Sequence, residues 1–194
     1  MSRKFLITII LILFLLPFVS WYYLQSGLNW RKQAQAIMNG TTPFPAVSCT
    51  TNLGSPFASD SLMGRVTLLT YLPCATSEGE QVSVLQAIYD QFKETNKASY
   101  VLLDTCGVAP ASGIPSNKYG WFVMTSPDTC GLFSSLKAAW PDGYSYALVD
   151  RKGIIRSYYK AVTKEEKKTL IEHMALLLPR ERQEEVELKR GDKK

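Results

Sequence analysis

Histidine is almost missing from this chain: His173 is the only one in 194 residues. A Ser-His-Asp or Cys-His nucleophile system would need that single ring to reach a nucleophile across the domain. No G-x-x-x-x-G-K-[ST], G-x-G-x-x-G or G-x-S-x-G run occurs, which removes the usual phosphate cradles and the nucleophile elbow. Cysteine is sparse, and Cys49, Cys74, Cys106 and Cys130 have none of the close pairings of a zinc site. Internal repeats are missing as well. Charge of one sign is lacking across the middle of the chain: Gly40 to Leu178 holds 12 Lys+Arg against 12 Asp+Glu. The net charge of +5 comes from Arg3, Lys4, Arg31, Lys32 and the tail. Without a clustered basic face, nucleic acid is not the expected partner.

One long stretch lacks charge altogether. Phe5 to Leu24 is twenty uncharged residues, and a helix of that length covers about 30 Å of hydrocarbon. Trp21, Tyr22 and Tyr23 stand at its outer end, where amphipathic rings favour the headgroup layer. Pro17 is a kink that membrane helices tolerate. The run exceeds a cleaved signal's apolar core and no A-x-A-like site follows, so a retained anchor is the expectation. Arg3 and Lys4 precede the span, although Arg31 and Lys32 follow it and weaken the orientation signal. The expected layout is residues 1–4 in the cytoplasm, 5–24 in the membrane lipid, 25–42 as a short helical or irregular stalk, 43–178 as one domain and 179–194 as a solvated charged tail. In a bacterium this places a single-pass protein in the inner membrane with its domain in the periplasm.

The domain's elements follow from periodicity. Ala46 to Thr50 reads as a short strand and Asn52 to Pro56 as a turn. Val66 to Leu72 is a nearly continuous apolar run, the pattern of a strand covered on both faces. Gly79 to Glu94 is amphipathic, with Val82, Leu85, Ile88, Tyr89 and Phe92 on one side. Ser99 to Asp104 is the next buried strand, completing a crossover unit. Gly107 to Asn117 reads as a loop, Trp121 to Thr125 as a strand and Thr129 to Trp140 as a short helix. Tyr144 to Val149 and Ile154 to Tyr159 make a hairpin, with Gly153 supplying positive φ in its turn. Thr163-Lys164-Glu165-Glu166 is a capping box, followed by the apolar positions Leu170, Ile171, Met174, Leu177 and Leu178. A parallel crossover followed by a hairpin and closing helix predicts an α/β, thioredoxin-like fold with a central mixed sheet and flanking helices.

A family resemblance enters at Tyr71-Leu72-Pro73-Cys74, where a buried strand runs through a loop into the helix starting Gly79-Glu80-Gln81. With Leu53-Gly54, Ser61 to Val66, Trp121 to Thr125 and Leu148 to Arg156 in order, the chain resembles the Sco/SenC/PrrC family. That family consists of membrane-anchored thioredoxin-like proteins linked to assembly of the copper centre of cytochrome c oxidase. The resemblance implies a partner in a respiratory membrane complex. It also implies a C-x-x-x-C motif and a distant His as copper ligands, and here the pattern breaks. The first Cys is Cys74, Glu78 stands at the second, and Asp142 lies in Pro141-Asp142-Gly143-Tyr144, where the His belongs. Soft thiolates suit Cu(I) and a carboxylate does not, so no copper or other cofactor is expected. His173 is read as a surface or flanking residue of the last helix.

Cys74 is the candidate nucleophile, ahead of a helix N-terminus that favours a thiolate. Glu78 and Glu80 in the same turn oppose that charge, and the incomplete motif argues against a standard dithiol oxidoreductase. The alternative is a relic or structural thiol. Cys106 and Cys130 follow strands that the fold places as neighbours, making them disulfide candidates in an exported domain. The expected role is a non-metal-binding accessory in respiratory oxidase assembly or maturation. The alternatives are a thiol-disulfide oxidoreductase using Cys74, or a structural subunit of a membrane complex.

Overall fold

The computed structural model describes residues 3–51, 54, 56–72, 78–104, 120–124 and 131–179. Two units divide the chain, residues 1–41 and 42–194. The first is one helix, α1 (Arg3–Ile37). Within it Leu11–Ile37, with mean hydropathy 1.5, is long and apolar enough to cross a membrane. Side chains from Leu11 to Leu24 are exposed, among them Phe14, Phe18 and Trp21. The stalk expected as short or irregular is helical as far as Ile37, continuous with the apolar segment. Pro17 lies inside the helix.

The second unit is built on a six-stranded sheet. In chain order its elements are β1 (Thr42–Pro43), β2 (Ser48–Thr50), β3 (Pro56–Ala58), β4 (Val66–Leu72), α2 (Glu78–Phe92), β5 (Ala98–Asp104), β6 (Trp121–Met124), α3 (Leu132–Lys137), β7 (Tyr146–Val149), β8 (Ile154–Tyr159) and α4 (Lys164–Leu177). The strand order is β1-β8-β7-β4-β5-β6, and β2–β3 is a separate hairpin. β4 pairs parallel with β5 and antiparallel with β7. β5 in turn pairs parallel with β6. Every residue of β5, and all of β4 except Tyr71, is buried. Both faces are therefore covered, which is what their unbroken apolar runs require.

The face carrying Leu69, Val101 and Val149 packs against Leu132 and Leu136 of α3 and against Phe57 of the β2–β3 hairpin. On the opposite face, Tyr89 of α2 meets Tyr100, and Tyr146 donates its hydroxyl proton to the Gln81 carbonyl. Tyr159, the register partner of Tyr146, carries α4 on this same face through His173.

The closing elements show their local causes plainly. Thr163 Oγ1 accepts from the Glu166 N–H at 3.2 Å, and Glu166 Oε2 accepts from the Thr163 N–H at 3.1 Å. In the β7–β8 turn Asp150 Oδ1 accepts from the Lys152 and Ile154 N–H groups, while Arg156 donates to Oδ2. Gly153 has φ +73 there, a left-handed value that costs a residue with Cβ about 1–2 kcal/mol.

Some expectations shift. The helix after β6 starts only at Leu132, because Gly131 caps it in a left-handed conformation and takes the Ser134 and Ser135 hydroxyls on its carbonyl. The first strand shortens to Ser48–Thr50, and its turn closes with Gly54 N–H on the Thr51 carbonyl; Asn52, Leu53 and Ser55 lie outside the described residues. So do the loop Gly107 to Asn117, the residues Thr129 and Cys130, and the tail from Arg180. His173 is the clear correction. It is 3 % exposed, not a surface residue. Its position three residues after buried Leu170 and one before buried Met174 places it on the inner face, and a buried phenol supplies the hydrogen bond its ring needs.

Candidate functional site

The carboxyl ends of parallel strands are where open α/β sheets bind ligands, and a cavity of about 460 Å³ lies there. Its floor is Leu103 of β5 and Leu136 of α3. Tyr71, near the end of β4, Gln81, in the first turns of α2, and the turn before β7 complete it.

Hydrogen bonds lock that turn to the sheet. The Ser145 carbonyl accepts from the Tyr71 N–H at 2.8 Å, and the Ser145 N–H donates to the Tyr159 carbonyl at 3.1 Å. Gln81 Nε2 donates to Ser145 Oγ at 2.9 Å. The Trp140 indole N–H donates to the Tyr144 carbonyl at 2.8 Å, which fixes the ring as a wall. Gly143, at φ +77, supplies the left-handed residue that turns the chain.

The walls are aromatic. Tyr71 and Trp140 have ring centroids 5.8 Å apart, and Tyr158 backs Trp140 edge-on at 5.3 Å. Burial pushes the Tyr158 phenol up, so that ring stays neutral through the physiological range. Lys160 Nζ stands 5.3 Å from the Tyr144 centroid. Asp142 and Lys137, both exposed, supply the rim charges. Just beyond, Ala161 is buried yet has φ +52, a strained conformation for a residue with Cβ. Its neighbour Val162 lines the cavity mouth.

Among the positions singled out by sequence, Asp142 lies at the cavity and Glu78 opens α2. Cys74, Cys106 and Cys130 lie outside the described residues. The strands that precede Cys106 and Cys130 are parallel neighbours, as the disulfide hypothesis requires. Cys49 is half-buried on β2, against the core. Sequence reasoning missed Tyr71, Gln81, Trp140 and Tyr144 as site residues; the only available signal was that Trp140 and Tyr144 flank the Pro141-Asp142-Gly143 turn. His173 is bound to Tyr159, its Nδ1 2.7 Å from the hydroxyl.

Copper does not fit what the described residues offer. The cavity presents rings, an amide oxygen and a hard carboxylate, whereas Cu(I) favours sulfur and imidazole. Among the described residues no three His, Cys, Asp or Glu side chains converge as metal ligands.

The sheet order, the helices on both faces and a cavity at the strand ends define a thioredoxin-like protein. No family model and no curated protein matches the sequence. Solved structures do match. A SCO1/SenC family lipoprotein from Bacillus anthracis str. Ames aligns at 16 % identity over 72 % of this chain and 96 % of its own, with a TM-score of 0.54. BsSco, described as a member of the Sco family of cytochrome c oxidase assembly proteins, aligns at 15 % identity over 74 % and 98 %, also at 0.54. A thiol:disulfide interchange protein of the thioredoxin family from Chlorobium tepidum TLS aligns at 15 % over 72 % and 97 %, at 0.51. At these identities the likeness is one of fold.

Proposed function

We propose that this chain is a membrane-anchored, exported accessory of the Sco/SenC kind, which acts by binding partners during respiratory oxidase assembly or maturation and holds no copper itself. The observation that carries the reading is the fate of the imidazole. The resemblance puts Asp142 at the family's distant ligand position, and Asp142 lines the cavity. The only histidine is buried elsewhere, its Nδ1 committed to Tyr159. A site with one thiolate and two carboxylates has little grip on a soft ion. The apolar α1 supports the anchor, and the Sco-type neighbours support the general kind.

Two measurements test it together. Cu(I) competition against a high-affinity chromogenic chelator should leave the copper on the chelator, and mild detergent extraction should co-purify an oxidase assembly intermediate. Stoichiometric copper uptake in that competition would sink the reading. Recovery with a stable mature complex instead would make the chain a structural subunit. The thiol-disulfide neighbours favour a second reading, catalysis through Cys74. A Cys74-dependent two-electron couple between about −120 and −270 mV would establish it.

A further inference from the structure

We propose that the cavity at the strand ends binds a small organic ammonium ion, a primary amine or alkylated ammonium carried on an apolar body. The lining decides the sign of the charge. Tyr71, Trp140 and Tyr144 present three rings, and ring faces attract cations through their quadrupole. Lys160 Nζ already stands 5.3 Å from the Tyr144 centroid, and its charge opposes a second cation at that ring. Gln81 Oε1 is buried and has no hydrogen-bond partner. Nε2 donates to Ser145 Oγ, a hydroxyl that can equally donate to the amide oxygen, so Gln81 does not fix the sign of the ligand's charge. Asp142, at the rim, has no ion pair or hydrogen bond among the described residues. Asp142 is anionic, so it calls for a donor with positive charge. Leu103 and Leu136 give the apolar body a floor. A cavity of about 460 Å³ is the size of a small-molecule site, far larger than a bare ion needs.

Lys137 lines the same rim. Its charge opposes a cationic ligand. That opposition gives the test its direction. The full chain in maltoside micelles is titrated calorimetrically with choline, with n-butylammonium and with dimethylbutanol, the uncharged carbon isostere of choline. At least one cation should saturate the site, with dimethylbutanol about tenfold weaker or worse. Asp142→Asn should weaken the cation about threefold to tenfold, and Lys137→Gln should tighten it. Both residues are exposed, so neither change threatens the fold, and circular dichroism checks this. Equal affinity for choline and its isostere overturns the proposal, as does weakening by Lys137→Gln. Failure of both cations to saturate below about 50 mM overturns it too. None of these outcomes depends on copper or on a respiratory partner, so this inference and the proposed function can fail separately.

Discussion

Replacing Tyr159 by Phe removes one hydroxyl from the buried contact between β8 and α4. The Tyr159 hydroxyl lies 2.7 Å from His173 Nδ1. Burial pushes the phenol up to about 12, and burial also pushes the imidazole below its ordinary 6.5, with Glu172 partly offsetting. Phe keeps the edge-on ring contact, whose centroids are 5.7 Å apart. What is lost is the hydrogen bond, and Nδ1 is left buried without its partner, at a cost of about 1–3 kcal/mol. The double variant Tyr159→Phe/His173→Leu leaves no orphaned nitrogen, so its cost should fall short of the sum of the single costs by about 1–2 kcal/mol.

Protonation gives the same pair a pH signature. Above 6.5 the ring is neutral in both the folded and unfolded chain, and the pair contributes no slope. As pH falls through 6.5 the unfolded chain takes up its proton first, so stability declines until the lowered folded value is reached and then levels off. Urea unfolding of the full chain in micelles, followed by near-ultraviolet circular dichroism from about pH 7 to 5, reads both effects. His173→Leu should remove this part of the slope, and Tyr159→Phe should keep a slope there. An unchanged slope in His173→Leu refutes the reasoning, as does a Tyr159→Phe cost below about 0.5 kcal/mol.

Other changes probe other elements. Asp150→Ala strips the β7–β8 turn of its clamp and should cost about 2–4 kcal/mol in a urea melt. Burial alone would raise that carboxyl, but the Ile154 N–H, the Arg156 guanidinium and the Lys152 N–H together hold it below its ordinary 3.8. Its contribution should therefore persist above 3.8 and disappear only as pH falls through the lowered folded value. Gly153→Ala should lower the melting point through about 1–2 kcal/mol of left-handed strain, and a wild-type melt would show that the turn relaxes. Thr163→Ala should cost about 1 kcal/mol by uncapping α4, with helicity by circular dichroism as the check. A bond between Cys106 and Cys130 should appear in non-reducing peptide maps, and reduction should cost about 3 kcal/mol; two free thiols in the map remove it.

Legibility in the sequence tracked how local each cause is. β4 was readable because burial on both faces leaves an unbroken apolar run, and α4 because its cap lies within four residues. The β7–β8 hairpin was readable from the turn around Gly153. β1 was not readable as a strand, since two residues carry no period and only the pairing of Thr42 with Ile155 makes them one. Val84 was passed over in α2, though it is buried, because the heptad-like stripe was drawn through Val82 and Leu85. His173 was misplaced because a polar side chain on a helix is normally turned outward, and its partner Tyr159 belongs to a different element. The cavity drew one residue that the family pattern had flagged, Asp142. Its other walls come from four elements far apart in sequence, which only the folded sheet brings together.

Pro43 ends the outermost strand of the sheet, a strand of only two residues. A proline has no amide proton, and so short a margin offers scarcely any backbone for a second chain to zip onto. A chain held at a bilayer, as proposed for this one, is concentrated in a thin layer, where stray strand exchange would be frequent. This border is blunted by its own sequence, so crowding at a bilayer should not turn neighbouring copies into a growing ribbon from that side.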